Sequence, residues 1–419
     1  MTTEPISATR PRPRPRNRRQ LIVEAAGRLF SERGYHAASM EDIAARVGIS
    51  GAALYRHFPN KYALFAESAH AMADRLVAAL DELPPDAEPA DVFSALIRVT
   101  VAHRASGGVY RWEARYLDRD DRRQLRAKFA RVVGRVTEAV RVTEAVRGAE
   151  VVRATEAVRG AGREVPLADE QLRAVAALGA VGSITMHRTS IAQRRLEELL
   201  LACALRVAGA APASVGASGR SVGVSGRSVE LPVLPVPRSR RAEILAAAVP
   251  LFARDGFANV TNGQIARAVG LAPSALYRHY PGKVDILAAA CLQAAGLLSQ
   301  AVDRGLQDVA DPRDAVAALA ATYVAYSFEH TALTSVAEAE FGGLPAELQR
   351  PLVQAQREHI AVWEQQLRLA RPELDPRQAR VLVHAGFGVV VEAGRSLRWR
   401  DSPEHRAAVT ALVVGALGL

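Results

Sequence analysis

The segment Ala53-Leu54-Tyr55-Arg56-His57-Phe58-Pro59-Asn60-Lys61 returns almost unchanged as Ala275-Leu276-Tyr277-Arg278-His279-Tyr280-Pro281-Gly282-Lys283. Residues 18–65 align with 240–287 at a constant offset of 222 without a gap, and nineteen of the forty-eight positions are identical, among them Arg18/Arg240, Ile22/Ile244, Phe30/Phe252, Gly34/Gly256 and Gly48/Gly270. A repeat on this scale means one structural unit present twice, so the chain must fold as two comparable halves. Its 419 residues also exceed what one hydrophobic core usually serves, roughly 250–300 residues.

Within the repeat, Leu21, Ile22, Ala25, Ala26, Leu29 and Phe30 follow the i, i+3, i+4 spacing of an amphipathic helix from Arg18 to Arg33, and Gly34 stands where it should stop. Ser39 with Asp42 three residues on is a capping-box pattern, and the second helix runs through Ile43, Ala44 and Val47 to a turn at Gly48. Ser50 then caps a third helix of about two turns, Gly51 to Phe58, bounded by Pro59. The second copy has Thr261 and Gln264 as its capping pair, Gly270 as its turn and Ala272 to Tyr280 as its short helix. Helix, glycine turn, short capped helix is the helix-turn-helix arrangement, whose second member enters the DNA major groove.

An aromatic, a basic residue, His, an aromatic and a Lys at the next helix start complete the motif in both copies. In this both stretches resemble the N-terminal DNA-binding domain of TetR/AcrR-type regulators. The resemblance implies an all-α protein of two such units, each a helix-turn-helix domain followed by a helical ligand-binding and dimerisation domain. It maps the family's groove-facing and phosphate-contacting positions onto Ser39, Gly51, Ala52, Tyr55, Arg56, His57 and Lys61 in the first copy. In the second they fall on Thr261, Pro273, Ser274, Tyr277, Arg278, His279 and Lys283. Tyr55 and Tyr277 can pack against sugar or a thymine methyl and donate to phosphate, while Lys61 and Lys283 begin helices whose N-termini favour anions. Arg56 and Arg278 suit either a guanine edge or another phosphate, and His57 and His279 suit either DNA contact or helix packing. Gly51-Ala52 becomes Pro273-Ser274 in the second copy, so the two half-sites are expected to differ.

The remainder divides around these readers. Residues 1–16 form a Pro/Arg-rich arm, read as disordered and serving either the minor groove or solubility. The first reader occupies 17–65 and a helical regulatory domain 66–208; a linker rich in Gly, Ser and Pro spans 209–237; the second reader takes 238–287 and its regulatory domain 288–419. Inside the first regulatory domain, 136–162 carries a hexapeptide tandem of the type Val-Thr-Glu-Ala-Val-Arg. Six residues turn a helix through about 600°, so successive units point 120° apart and cannot share one apolar stripe. The tandem reads as an insertion, either a helix extension or a loop. The segments 167–187, 191–207, 375–397 and 403–417 correspond to the family's dimerising helices, and Gly179, Gly182, Gly386 and Gly388 would let them approach closely.

A net charge of +10 and a pI near 10.1 suit a polyanionic partner, although an excess of Arg and Ala also fits a GC-rich genome. Cys203 and Cys291 form neither a disulfide framework nor a metal-ligand spacing. Uncharged runs such as Ala174–Met186 and Ala407–Leu419 stop at thirteen residues, short of the roughly 18 of a membrane span. The expected partner is a double-stranded DNA operator, in the cytoplasm and away from membranes, with no cofactor, no metal and no catalytic residues. The resemblance further implies a repressor released by a small molecule. Tandem duplication makes the chain similar to actinobacterial repressors of lipid-uptake operons, which implies an apolar, lipid-like effector. Candidate pocket residues are Trp112, Tyr116 and Phe129 in the first half and Tyr323, Tyr326, Phe341, Trp363 and Phe387 in the second. A single-chain pseudo-dimer is expected, against a homodimer on a palindrome or a nucleoid-type protein of low specificity.

Overall fold

The computed structural model describes residues 17–107, 116–155, 167–210, 229–234 and 236–419, in which seventeen α-helices and no strand are present. The first reader consists of α1 (Arg18–Ala37), α2 (Met40–Val47) and α3 (Gly51–Tyr55). Gly34 interrupts α1 with φ 78° and ψ 164°, so the regular helix ends where a residue without Cβ permits positive φ. Gly48, at φ 71° and ψ 38°, closes α2 in the left-handed conformation. Ile22, Leu29, Phe30, Ile43, Leu54 and Phe58 interlock beneath this turn as one small core.

Five described helices build the rest of the first half: α4 (Lys61–Asp81), α5 (Pro89–Ala102), α6 (Arg119–Thr155), α7 (Leu167–Gly182) and α8 (Gln193–Ala208). The hexapeptide tandem continues α6 as far as Thr155. Its first unit joins the core, with Val136, Ala139 and Val140 at most 4 % exposed, whereas Val142, six residues after Val136, is 45 % exposed. That is the 120° rotation made visible: one unit reaches the core and the next turns its valine to solvent. Sequence reasoning treated all of the tandem as insertion; the structure assigns its first unit to the core.

The second half repeats the plan with α9 (Arg240–Asp255), α10 (Asn262–Ala268), α11 (Pro273–Leu276), α12 (Lys283–Leu306), α13 (Pro312–Glu329), α14 (Thr331–Glu340), α15 (Ala346–Ala370), α16 (Pro376–Ser396) and α17 (Pro403–Leu417). Both recognition helices are shorter than the motif suggested, their last residues forming a turn. The longest uncharged run is not one of the thirteen-residue stretches singled out above but the seventeen residues Ile286–Val302 of α12, the one helix among those described that is long and apolar enough to cross a membrane; in this fold it packs in the second half's core. Before α9, Leu231 docks beside Val249 and Tyr326.

One hydrophobic cluster runs unbroken from Met72, Leu96 and Val136 through Ala177, Leu200 and Cys203 to Val383, Phe387 and Leu412. The halves therefore share a core. Its centre is the crossing of α7 on α16, flanked by α8 and α17. Nearly every residue of α16 between Gln378 and Gly394 is buried, as a helix packed on all sides requires. A Cβ added at Gly179 would lie 2.3 Å from the Gly388 carbonyl oxygen, and one added at Gly388 would lie 2.2 Å from that of Gly179. Only two glycines allow the backbones to meet this closely. Beside them, His187 and His384 stack ring on ring, centroids 4.1 Å apart. Arg206 of α8 donates to the Gly415 and Ala416 carbonyls, both at 3.0 Å, and Arg371 to Leu417 O at 2.7 Å. Two guanidinium groups from opposite halves thus bond the carbonyls that end α17.

Gly388→Ala should force the two backbones apart and lower global stability by about 1–3 kcal/mol, the usual range for overpacking, read as a drop in the urea midpoint. Burial, and for His187 the neighbouring His384, depress the imidazoles to about 2 and about 4. Unfolded histidines titrate near 6.5, so the stability these residues contribute is present above that pH and falls as pH drops towards 4, by about 1.4 kcal/mol per unit for each. Denaturation at about pH 7.5 and pH 5 should show the loss, and His384→Phe should flatten it.

Candidate nucleic-acid interface and effector cavities

Each recognition helix is held from below and exposed above. Ser39 Oγ accepts from Asp42 N at 3.0 Å and Thr261 Oγ1 from Gln264 N at 3.2 Å, reciprocal caps that start α2 and α10. Ser50 Oγ accepts from Ala53 N at 3.2 Å to start α3, while α11 starts on Pro273, whose fixed φ replaces that bond. Leu54 and Phe58, and correspondingly Leu276 and Tyr280, sink into the cores. Anchored in this way, Tyr55 and Tyr277 stand 49 % and 54 % exposed, with Arg56 and Arg278 beside them in solvent. Ala52 and Ser274 are likewise exposed, and His57 and His279 half-buried. Asn262 donates to the Tyr277 hydroxyl at 3.0 Å, whereas the aligned position before Tyr55 is the buried Met40. The two tyrosines thus differ in their neighbours.

A clamp that sequence reasoning missed fixes the end of each recognition helix. Arg19 Nη1 donates to His57 O at 2.8 Å, and its guanidinium lies 4.3 Å above the Phe58 ring. Arg241 repeats this with His279 O and, at 4.0 Å, the Tyr280 ring. The only signal was the identity Arg19/Arg241 inside the repeat. The lysines are also engaged internally. Lys61 Nζ donates to His36 O at 3.1 Å and sits 4.7 Å over the Tyr35 ring; Lys283 Nζ donates to Phe257 O at 2.6 Å and Val260 O at 2.7 Å. Burial lowers both ammonium pKa values. Each lysine ties the residues that follow the glycine break, Gly34 or Gly256, to the start of the fourth helix of its unit.

Behind the readers lie two cavities. One of about 530 Å³ in the first half is lined by Leu76, Leu96, Phe129 and Val132, with Glu392 and Arg395 reaching in from α16. The other, of about 740 Å³, lies in the second half among α12, α13, α14, α15 and α16. Both fall in the range of roughly 300–1,000 Å³ that holds small ligands. Tyr323, Tyr326, Phe341 and Phe387 line the larger one. Trp363 stands behind that wall, wholly buried and edge-on to Phe387 at 5.4 Å. Tyr116 stacks on Tyr35 at 5.6 Å and borders the larger cavity, not that of its own half. Trp112 lies outside the described residues.

The model of the tetR family of bacterial regulatory proteins matches this chain at two places, residues 22–68 and 244–290, which are the two readers with the starts of α4 and α12. The chain carries the DNA-binding domain of the tetR family twice, in tandem. Over 60 residues it is 43 % identical to the HTH-type transcriptional activator FasR of Mycolicibacterium smegmatis, covering 14 % of this chain and 27 % of that protein. Over 71 residues it is 39 % identical to the nucleoid occlusion factor SlmA of Photorhabdus laumondii, 17 % of this chain and 36 % of that one. The matches thus span about a quarter to a third of these relatives. Among solved structures, a TetR-family transcriptional regulator from Bordetella parapertussis superposes with a TM-score of 0.38 at 21 % identity, over 42 % of this chain and 93 % of that one.

The tandem units separate structural from surface positions, and stability measurements should follow the division. Lys283→Met should cost about 1.5–3 kcal/mol, the worth of hydrogen bonds from a charged donor. Arg278→Ala, at an exposed site, should stay within about 0.5 kcal/mol of the parent.

Proposed function

We propose that the chain is a sequence-specific, DNA-binding transcriptional regulator that works as a single-chain pseudo-dimer, each reader taking one of two unlike half-sites. The observation that carries this reading is the Gly179–Gly388 crossing. The equivalent terminal helices of the two halves pack on each other, so the face a one-unit protein would offer a second subunit is consumed inside the chain. Two readers on one rigid core can meet successive major grooves about 34 Å apart. Tyr55, Arg56, Tyr277 and Arg278 are the exposed groups for phosphate or base contact, and Gly51-Ala52 against Pro273-Ser274 distinguishes the two half-sites. His57, His279, Lys61 and Lys283 shape the readers from within, and Ser39 and Thr261 act first as caps.

The two cavities support a small-molecule effector whose binding is linked to DNA affinity. Their aromatic and aliphatic walls favour an apolar ligand. We read the chain as a repressor released by that ligand, acting in the cytoplasm and without catalytic chemistry. FasR is described as an activator, so the sign of regulation is measured together with binding. A second reading, a nucleoid-type protein with little sequence preference, draws on the match to SlmA.

Footprinting on the DNA upstream of the chain's own gene, with the mass of the complex, tests the proposal. One chain on an asymmetric site is the expected result; two chains on a palindrome would refute the pseudo-dimer. Equal affinity for operator and random DNA, falling together with salt, would favour the nucleoid reading. Tyr55→Ala and Tyr277→Ala should each weaken operator binding at least tenfold, about 1.4 kcal/mol.

A further inference from the structure

The two readers do not hold their tyrosines alike. In the second, Asn262 opens α10 and its Nδ2 donates to the Tyr277 hydroxyl at 3.0 Å, while its Oδ1 is buried without a hydrogen-bond partner among the described residues. With its oxygen closed off and its nitrogen turned to the tyrosine, this amide supports a DNA contact rather than making one. In the first reader the aligned residue is Met40, buried in the core and carrying no donor, and no described residue offers the Tyr55 hydroxyl a hydrogen bond.

A second difference lies beside the first. Pro273 begins α11 facing Gly263, where a Cβ would stand 4.0 Å from the Pro273 Cγ; at Gly51, the residue aligned with Pro273, a Cβ would meet nothing within 4 Å. So α11 is braced on the start of α10 at its first residue, and the tyrosine that follows its last residue is pinned by Asn262. A phenolic oxygen both accepts and donates, and a donor placed on one side of it leaves the proton the other side. Accepting that bond also makes the hydroxyl a better donor. Tyr277 is exposed, so its proton is left for water or a DNA phosphate. A ring fixed before DNA arrives has less rotamer freedom to lose on binding, whereas Tyr55 must lose its own.

We propose that Asn262 is a positioning residue of the second reader, holding Tyr277 as a ready phosphate donor, and that the second reader therefore grips the DNA backbone more tightly than the first. This rests on the reading of the chain as a DNA-binding regulator. It adds a residue that acts through another and a ranking of the two readers.

Phosphate contacts carry no sequence information, so a mixed-sequence duplex of roughly 40 base pairs serves as the probe, its binding to the full chain followed by fluorescence anisotropy over a range of salt. Asn262→Met, which installs the first reader's residue, should weaken binding about three- to tenfold, the worth of one pre-ordered side chain. In a Tyr277→Phe background the same change should have no further effect, and in a Tyr55→Phe background its full effect. Tyr277→Phe alone should weaken binding more than Tyr55→Phe alone. The slope of log affinity against log salt should stay that of the parent, because no cation leaves the interface; a merely structural loss of the second reader would withdraw Arg278 and flatten it. Asn262→Ala replaces Asn262→Met if that variant melts below the parent. A silent Asn262 variant, a flattened slope, or a loss as large in the Tyr277→Phe background as alone overturns the positioning role. Tyr55→Phe costing as much as Tyr277→Phe overturns the ranking. These results leave the regulator reading intact, whereas a parent chain that does not bind the duplex brings down the proposal and that reading together.

Discussion

The two backbones that meet at Gly179 and Gly388 hold this molecule in one piece. Without them α7 and α16 would stand apart by at least a side chain, and the stacked pair His187–His384 and the arginine caps on α17 would lose their geometry. Burial of apolar surface supplies most of the free energy of such an interface, but it has no direction. The glycine crossing and the guanidinium-to-carbonyl bonds supply register. They determine which residues of one half face which residues of the other, and so the angle at which the two readers are presented.

The readers show how a duplicated unit can keep its scaffold and change its surface. Caps at Ser39 and Thr261, positive φ at Gly34, Gly48, Gly256 and Gly270, the arginine clamps and the internal lysines recur in both copies. All of these act within the domain. What differs lies on the outer surface of the recognition helix, where Gly51-Ala52 is replaced by Pro273-Ser274 and where Asn262 holds the Tyr277 hydroxyl. Arg56 and Arg278 remain common to both and exposed.

Much of this could be read in the amino-acid sequence because it is local. Capping boxes, glycine stops and the 3.6-residue period are short-range signals, and the repeat extended each of them to a second place in the chain. The small-residue pattern in 167–187 and 375–397 pointed to close helix approach, though which glycine meets which depends on a crossing between segments some 200 residues apart. The occupation of Lys61 and Lys283 was hidden for the same reason: their acceptors, His36 O and Phe257 O, are backbone atoms that carry no residue-type signal. The hexapeptide tandem misled by its regularity. Its first unit falls where the core still needs Val136 and Val140, which only the packing of α6 on α4 and α7 reveals. Cavities are absences between side chains and leave no trace in periodicity.

Arg206 and Arg371 close the end of α17 from opposite halves, and α16 has no side left open. A chain paired with itself in this way is insulated from its relatives. The surface that α7 and α16 would offer a further copy is covered by a helix of the same chain, which is present at far higher effective concentration than any free subunit. Damaged copies would then not poison intact ones through mixed assemblies, and each half would be free to drift so long as it still fits the other.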